Sequence, residues 1–154
     1  MDEMLRIAVD PGQNGGVAYS FLGKTYAVKM PPTDYDLVAL LAGLGKQSRL
    51  VELYLEEPST GGWGPASKHS VGKLQFNVGV IYGASIALGF KTHRVRPAIW
   101  MKTHPVGTKG DRTSTQWKNI LKARASELFP DHPVTLATCD ALLILHAAAR
   151  GEIK

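Results

Sequence analysis

The chain has little cysteine and no long apolar run. Cys139 is the single cysteine among 154 residues, which excludes an internal disulfide and predicts a reducing compartment. The longest apolar stretch, from Val78 to Phe90, is too short to cross a bilayer and is interrupted by Tyr82 and Ser85. The first residues lack the layout of a secretory signal. Together these features predict a cytoplasmic protein.

One part of the chain is nearly free of acidic residues. From Lys91 to Arg124, nine lysines and arginines are opposed only by Asp111, and the whole chain has a formal net charge of +5. This distribution predicts a polyanionic partner such as nucleic acid, although a solvated positive face accounts for it equally well at this point. The length predicts one domain, residues 1–154, with a core of its own.

The opening of the chain predicts a buried strand that ends in an acid. Residues 5–9 are mostly apolar, Asp10 follows them, and Pro11 with Gly12 then breaks the pattern. Such a strand places a carboxylate at the edge of a sheet. There the carboxylate is either part of an active site or only a charge that caps the strand. The glycines at 12, 15 and 16 permit positive φ angles and the close approach of a ligand or a second strand.

A second strand repeats this design. Residues 50–55 are again largely apolar, and they end in Glu56 and Glu57 before a proline. A helix predicted over residues 34–45 would return the chain beside the first strand in a parallel direction, so that Glu56 or Glu57 reaches Asp10. Both faces of a central strand are covered, so alternation alone does not choose between the two glutamates.

A third acid opens the last predicted helix. Asp140 precedes an almost wholly apolar run, and Gly151 ends the helix. An acid in the first turn is often only a partner of the helix dipole. At the rim of a buried surface, however, an ionised carboxylate needs cations or donors, and a metal ion would meet that need.

The remaining patterns predict the element order β-β-β-α-β-α-β-α-α. The other predicted features are strands over residues 17–22, 25–30 and 92–95, a tight connection over 97–100 and a helix opened by a capping box at Thr113. A long helix from Val71 to Leu88 has apolar residues on two faces. It is either buried on both sides or the centre of a homodimer, and the shortness of the chain favours the dimer.

The acids from these separated elements predict a site for hard divalent cations. Carboxylate oxygens suit Mg²⁺ or Mn²⁺, whereas zinc sites usually use Cys and His. Beside a basic surface, the expected reaction is hydrolysis of a phosphodiester. Two ions about 4 Å apart would activate water and stabilise the leaving oxygen.

Five segments share an order and spacing that is specific when taken together. They are residues 7–12, 53–56, 76–79, 96–102 and 140–144. Together they resemble the RuvC Holliday-junction resolvases, in particular their phage-type members, over residues 4 to 150. The resemblance implies an α/β protein with an RNase H-like fold, a five-stranded mixed sheet flanked by helices on both faces. It also implies a homodimer that nicks two opposed strands of a four-way DNA junction symmetrically.

The resemblance also implies roles for single residues. Asp10, Glu56 and Asp140 correspond to the acids that hold the metal, Mg²⁺ or Mn²⁺, with two ions per active site. Lys102 falls where the family places a basic residue near the scissile phosphate. The resemblance therefore implies that Lys102 is a catalytic residue together with the three acids.

One position departs from the family pattern. The family usually carries a second acid or a histidine three residues before the position of Asp140, and here that residue is Ala137. One metal position is therefore short of a ligand unless Glu57, Asp131 or His132 replaces it. The expected consequence is weaker catalysis or selectivity for Mn²⁺.

The basic residues and one tryptophan predict a DNA-binding surface. The predicted phosphate contacts are Lys68, Lys102, Lys109, Arg112, Lys118 and Lys122. Lys118 and Lys122 are four apart on a predicted helix and are expected to share an outward strip. Trp63 lies between glycines and either probes the junction centre by stacking on bases or folds back onto the core.

Three functions therefore compete. The first is a metal-dependent junction endonuclease. The second, suggested by Ala137, is a catalytically weak or inactive protein of the same fold that binds branched DNA. The third is a nucleotide-handling protein with an actin-like core, because the glycines after Asp10 could hold metal and phosphate. It ranks last because the chain is too short for the second lobe of such ATPases.

Overall fold

A computed structural model describes residues 3–59 and 68–154. The strands are β1 (Leu5–Asp10), β2 (Gly16–Phe21), β3 (Lys24–Lys29), β4 (Val51–Glu56) and β5 (Lys91–Val95). The helices are α1 (Asp34–Gly45), α2 (Lys68–Ala87), α3 (Pro97–Met101), α4 (Ser114–Leu128) and α5 (Cys139–Ala149). Trp63 lies outside the described residues, so its role stays a prediction.

The strands form one mixed sheet in the order β3-β2-β1-β4-β5. The first three strands pair antiparallel as hairpins, whereas β4 and β5 add in parallel to β1. The parallel additions require crossovers, and α1 and α2 supply them. The predicted five-stranded mixed sheet with helices is confirmed.

The alternation of each strand divides the core into two layers. Ile7 and Leu53 pack with α1 and α2 on one face, and Ala8 and Tyr54 pack with α4 and α5 on the other. Successive side chains of a strand point to opposite faces. The last residues of β1 and β4 therefore point to the face of α4 and α5, because they have the parity of Ala8 and Tyr54.

Two elements differ from the sequence-based prediction. The residues predicted as a tight connection form the short helix α3, because Pro97 at its first position presets the helical φ and Trp100 is fully buried. The predicted element order is therefore wrong by one helix. In addition, α2 begins at Lys68 rather than at Val71. None of the helices in the described residues is long and apolar enough to span a membrane.

Candidate metal centre

Three carboxylates from three elements meet at one edge of the sheet. Asp10 ends β1, Glu56 ends β4, and Asp140 lies in the first turn of α5. Asp10 and Asp140 are each only 8% exposed. The charges of Glu56 and Asp140 act on Asp10, and that of Asp140 acts on Glu56. The structure thus brings together the three acids that the sequence singled out.

The turn after Asp10 is held in place by close contacts. Gly12 has a φ of 99°, which favours glycine, and its N–H donates to Oδ1 of Asn77 in α2 at 2.8 Å. A Cβ at Gly15 would lie 2.0 Å from the backbone oxygen of Asp10. The turn therefore fixes the end of β1, and with it the position of the first carboxylate.

A buried tryptophan orients the second carboxylate. Nε1 of Trp100 donates to Oε2 of Glu56 at 2.6 Å, and the indole is fully buried. An indole N–H donates only, so this contact favours the ionised glutamate. No role for Trp100 follows from the sequence, because no motif marks a tryptophan whose indole binds a carboxylate.

The neighbouring glutamate faces away from this cluster. Nη2 of Arg94 donates to Oε1 of Glu57 at 2.8 Å, and both side chains are well exposed to solvent. The alternation of β4 carries Glu56 to the face of α4 and α5. The choice between the two glutamates that the sequence left open is thus settled by strand register.

A lysine pairs with the other two carboxylates. Nζ of Lys118 in α4 lies 2.6 Å from Oδ2 of Asp140 and 3.5 Å from Oδ2 of Asp10. The lysine side chain is 28% exposed, so it reaches the acids from the rim. The prediction that Lys118 points outward with Lys122 is wrong, because the packing of α4 on α5 turns this lysine toward Asp140. The predicted need of Asp140 for a cation is met by this ammonium.

Burial and mutual repulsion make the ionised acids costly. Burial, with the charges of Asp140 and Glu56, raises the pKa of Asp10 well above its usual value. Burial and Asp140 raise the pKa of Glu56 to about 7. The pKa of Lys118 is raised despite its burial, because Asp140 and Asp10 favour its charged form. The cluster therefore carries more negative charge than one ammonium compensates.

The donor set fits a hard divalent cation in its chemistry. The donors are carboxylate oxygens, and the raised pKa values of Asp10 and Glu56 indicate that additional positive charge would be favourable. In the described part of the chain, however, no group of three or more His, Cys, Asp or Glu residues is arranged to hold a metal ion. Lys118 lies at the Oδ2 atoms of Asp10 and Asp140 instead.

None of the predicted substitutes for an acid at position 137 joins the cluster. Asp131 is exposed and His132 is half-buried, and neither these residues nor Glu57 are among the groups that act on Asp10 or Glu56. Within the described residues, the charged group that lies beside the three carboxylates is the ammonium of Lys118.

The other predicted DNA-binding residues in the described part of the chain make no ion pair or hydrogen bond with the three acids. Lys102 follows α3 and is exposed, and no described ion pair or hydrogen bond joins it to a carboxylate. Arg112 is exposed between α3 and α4 and donates to the backbone oxygen of Thr108 at 3.0 Å. Lys68 and Lys109 are exposed, and Lys122 is half-buried one turn after Lys118.

Asp10→Asn is expected to stabilise the metal-free protein. The pKa of Asp10 is raised by folding, so the folded state disfavours its ionised form above that pKa, and the penalty vanishes as the pH falls to the unfolded value. At pH 8 with a chelator, we expect a gain of about 1 kcal/mol in the free energy of unfolding, and no gain near pH 4. Urea unfolding measures this, with the exposed Asp111→Asn as control. A less stable Asp10→Asn at pH 8 would contradict the prediction.

The mixed sheet and its flanking helices have the arrangement of an RNase H-like fold. Solved structures with this architecture include RuvC of Thermus thermophilus, which is 18% identical with a TM-score of 0.59 over 98% of this chain and 99% of that one. RuvC of T. thermophilus in complex with a Holliday junction substrate is 16% identical with a TM-score of 0.64 over 98% of both chains. No family model and no curated protein sequence matches the chain. The likeness extends over almost the whole chain and establishes the fold.

Proposed function

We propose that this protein is a structure-specific, metal-dependent endonuclease that resolves four-way DNA junctions by paired symmetric nicks. The observation that carries the proposal is the cluster of Asp10, Glu56 and Asp140 at the edge of an RNase H-like sheet. The fold is that of RuvC, which has been solved with a Holliday junction. A net charge of +5 with a basic segment beside the cluster supports a DNA substrate.

The three carboxylates would hold two Mg²⁺ or Mn²⁺ ions. Bound ions would activate a water molecule and stabilise the leaving 3′-oxygen of the phosphodiester. Trp100 fixes one oxygen of Glu56, and the other oxygen would be the one to contact a metal ion. The turn at Gly15 fixes Asp10 at the end of β1. These contacts preorganise the donors before DNA arrives, which lowers the reorganisation that the reaction requires.

The predicted basic residues would bind the DNA backbone. Lys102 would contact the scissile phosphate and act as a catalytic residue. It directly follows α3, and Trp100 of that helix donates a hydrogen bond to Glu56. The other proposed contacts are Trp63 at the junction centre and Lys68, Lys109, Arg112, Lys118 and Lys122 along the phosphates. Such contacts give affinity that falls steeply with salt.

The outer face of α2 supports a homodimer. Phe76, Tyr82 and Ile86 are 64%, 36% and 55% exposed on this helix, and a Cβ added at Gly79 or Gly83 would meet nothing within 4 Å. An apolar stripe with glycines allows close packing against a second copy of the same helix. Two copies would present two carboxylate clusters to opposed strands of a junction. Light scattering tests this, and a single-chain mass at assay concentrations would contradict it.

The decisive experiment compares nicking of a four-way junction, a linear duplex and an RNA–DNA hybrid in Mg²⁺ and in Mn²⁺. We expect paired nicks in the junction alone, and none with excess chelator. Cleavage that persists in chelator would refute the metal assignment, and equal cleavage of the duplex would refute structure specificity. The single, buried Cys139 fits a reducing compartment, and we propose that the protein acts on DNA in the cytoplasm.

A second candidate is a junction-binding protein of the same fold that cleaves weakly or not at all. It is favoured by Ala137 at the position of a family acid and by Lys118 between Asp10 and Asp140. This alternative predicts selective junction binding without nicking in either divalent ion. The same comparison of substrates therefore separates the two candidates.

A further inference from the structure

Lys118 lies where a cation between two of the carboxylates would have to bind. Its ammonium is 2.6 Å from Oδ2 of Asp140 and 3.5 Å from Oδ2 of Asp10. These oxygens belong to two of the three carboxylates that the proposed function assigns to metal. A divalent ion and an ammonium at the same pair of oxygens would repel one another, so the two cations exclude each other there.

The side chain of Lys118 lies at the rim of the cluster. It can rotate away from the acids while α4 stays packed. Its side chain is 28% exposed and is a flexible chain with three rotatable donors. The neighbours on its own helix that are buried are Trp117 and Leu121, and they hold α4 in place independently of the lysine head group. Outward rotation of Lys118 would therefore uncover the two carboxylate oxygens and present the ammonium to solvent.

A DNA phosphate would give the displaced ammonium a new partner. Lys122 lies on the same side of α4, about 6 Å further along the helix axis, and is itself a proposed phosphate contact. A DNA strand that crosses this helix would bring its phosphates within reach of both lysines. The phosphate would then replace the carboxylates as the anion that pairs with Lys118.

We propose that Lys118 is a displaceable internal cation that couples metal loading to DNA binding. In the free protein its ammonium holds Asp10 and Asp140, and when the junction binds, a backbone phosphate draws the ammonium outward and a divalent ion takes its place. This inference rests on the proposed function. Because binding linkage is reciprocal, DNA must tighten metal binding by the same factor by which metal tightens DNA binding.

The test is a titration with Mn²⁺, followed by the electron paramagnetic resonance signal of the free ion. It uses metal-free wild type and Lys118→Met, each with and without a junction whose crossover linkages are phosphorothioates, which keep the negative charge and slow cleavage. Without DNA, we expect Lys118→Met to bind Mn²⁺ at least about tenfold more tightly than wild type. Addition of the junction should increase the Mn²⁺ affinity of wild type by at least about tenfold. It should increase the Mn²⁺ affinity of Lys118→Met by less than about threefold.

Two further variants make the result specific. Lys122→Met removes the same charge one turn away, and without DNA it should bind Mn²⁺ within about threefold of wild type. Lys118→Arg keeps the charge and can pair with two carboxylates at once, so it should bind Mn²⁺ more weakly than wild type. The arginine variant and the wild-type arm test the inference even where Lys118→Met fails to fold.

The inference and the proposed function fail in different ways. Equal Mn²⁺ affinity of wild type and a folded Lys118→Met, or a wild-type affinity that the junction does not change, would overturn the inference even where the junction is cut. Absence of nicking by wild type would overturn the proposed function, whatever the titrations give. If Lys118→Met and Lys122→Met changed the Mn²⁺ affinity equally, general electrostatics would explain the effect of Lys118. That result would also overturn the inference.

Discussion

Glu56→Gln is expected to lower the rate of junction cleavage by at least about 10³-fold, which corresponds to about 4 kcal/mol of transition-state stabilisation. The substitution removes one of the three charges proposed to hold the metal. The amide oxygen of glutamine can still accept the hydrogen bond from Nε1 of Trp100. We therefore expect the variant to fold and, in excess chelator, to bind the junction within about threefold of wild type. Single-turnover cleavage and a gel-shift titration measure the two quantities.

Glu57→Gln is the matched control for this prediction. It makes the same chemical change one residue later, on a side chain that is paired with Arg94 on the other side of the strand. A surface ion pair contributes little, so cleavage and stability should remain within about twofold of wild type. If Glu57→Gln abolished cleavage and Glu56→Gln did not, the register of β4 would assign the wrong glutamate to the site.

The two glutamates also show what the sequence could and could not establish. The apolar pattern and the proline located the strand, and the crossover rule brought its end to Asp10. Choosing between Glu56 and Glu57 requires the absolute orientation of β4, which follows from the pairing of Val9 with Leu55 and from the helices that cover each face. Pairing and cover are long-range properties, whereas alternation within one strand is local.

Lys118 shows the same limit for helices. Its spacing from Lys122 correctly places both lysines on one side of α4, but spacing does not state which part of that side meets a neighbouring helix. The packing of α4 against α5 brings this lysine to Asp140. The sequence did predict that Asp140 needs a cation, because a buried ionised carboxylate is costly wherever it lies. It favoured a metal ion as the partner, whereas the structure has the ammonium of Lys118 beside Asp140.

Position 137 links the resemblance to the structure. The loop before α5 approaches β2 so closely that a Cβ at Gly16 would lie 2.7 Å from the backbone oxygen of Ala137. Gly16 is also the register partner of Asp10. The residue at 137 is therefore near the carboxylate cluster, as the family pattern implies, although alanine supplies no ligand there. Lys118 supplies charge of the opposite sign to the cluster, and this favours a metal affinity lower than that of a site with a fourth acid.

Gly15→Ala is expected to lower the free energy of unfolding by about 3 kcal/mol and the cleavage rate by at least about 10²-fold. The added Cβ would lie 2.0 Å from the backbone oxygen of Asp10 and 2.9 Å from that of Pro11. Neither atom belongs to a flexible side chain, so the backbone that carries the carboxylate of Asp10 must move. Urea unfolding and single-turnover cleavage at a temperature where the variant is folded measure the two losses.

Gly43→Ala provides the control, because it makes the same change where the structure has room. Gly43 lies in α1, and a Cβ there would meet nothing within 4 Å. Alanine is the better helix former, so the control should be more stable than wild type by up to about 1 kcal/mol and should cleave normally. A Gly15→Ala variant as stable and active as Gly43→Ala would mean that the turn yields without moving Asp10. The close approach of this turn to β1 would then not be what fixes the first carboxylate.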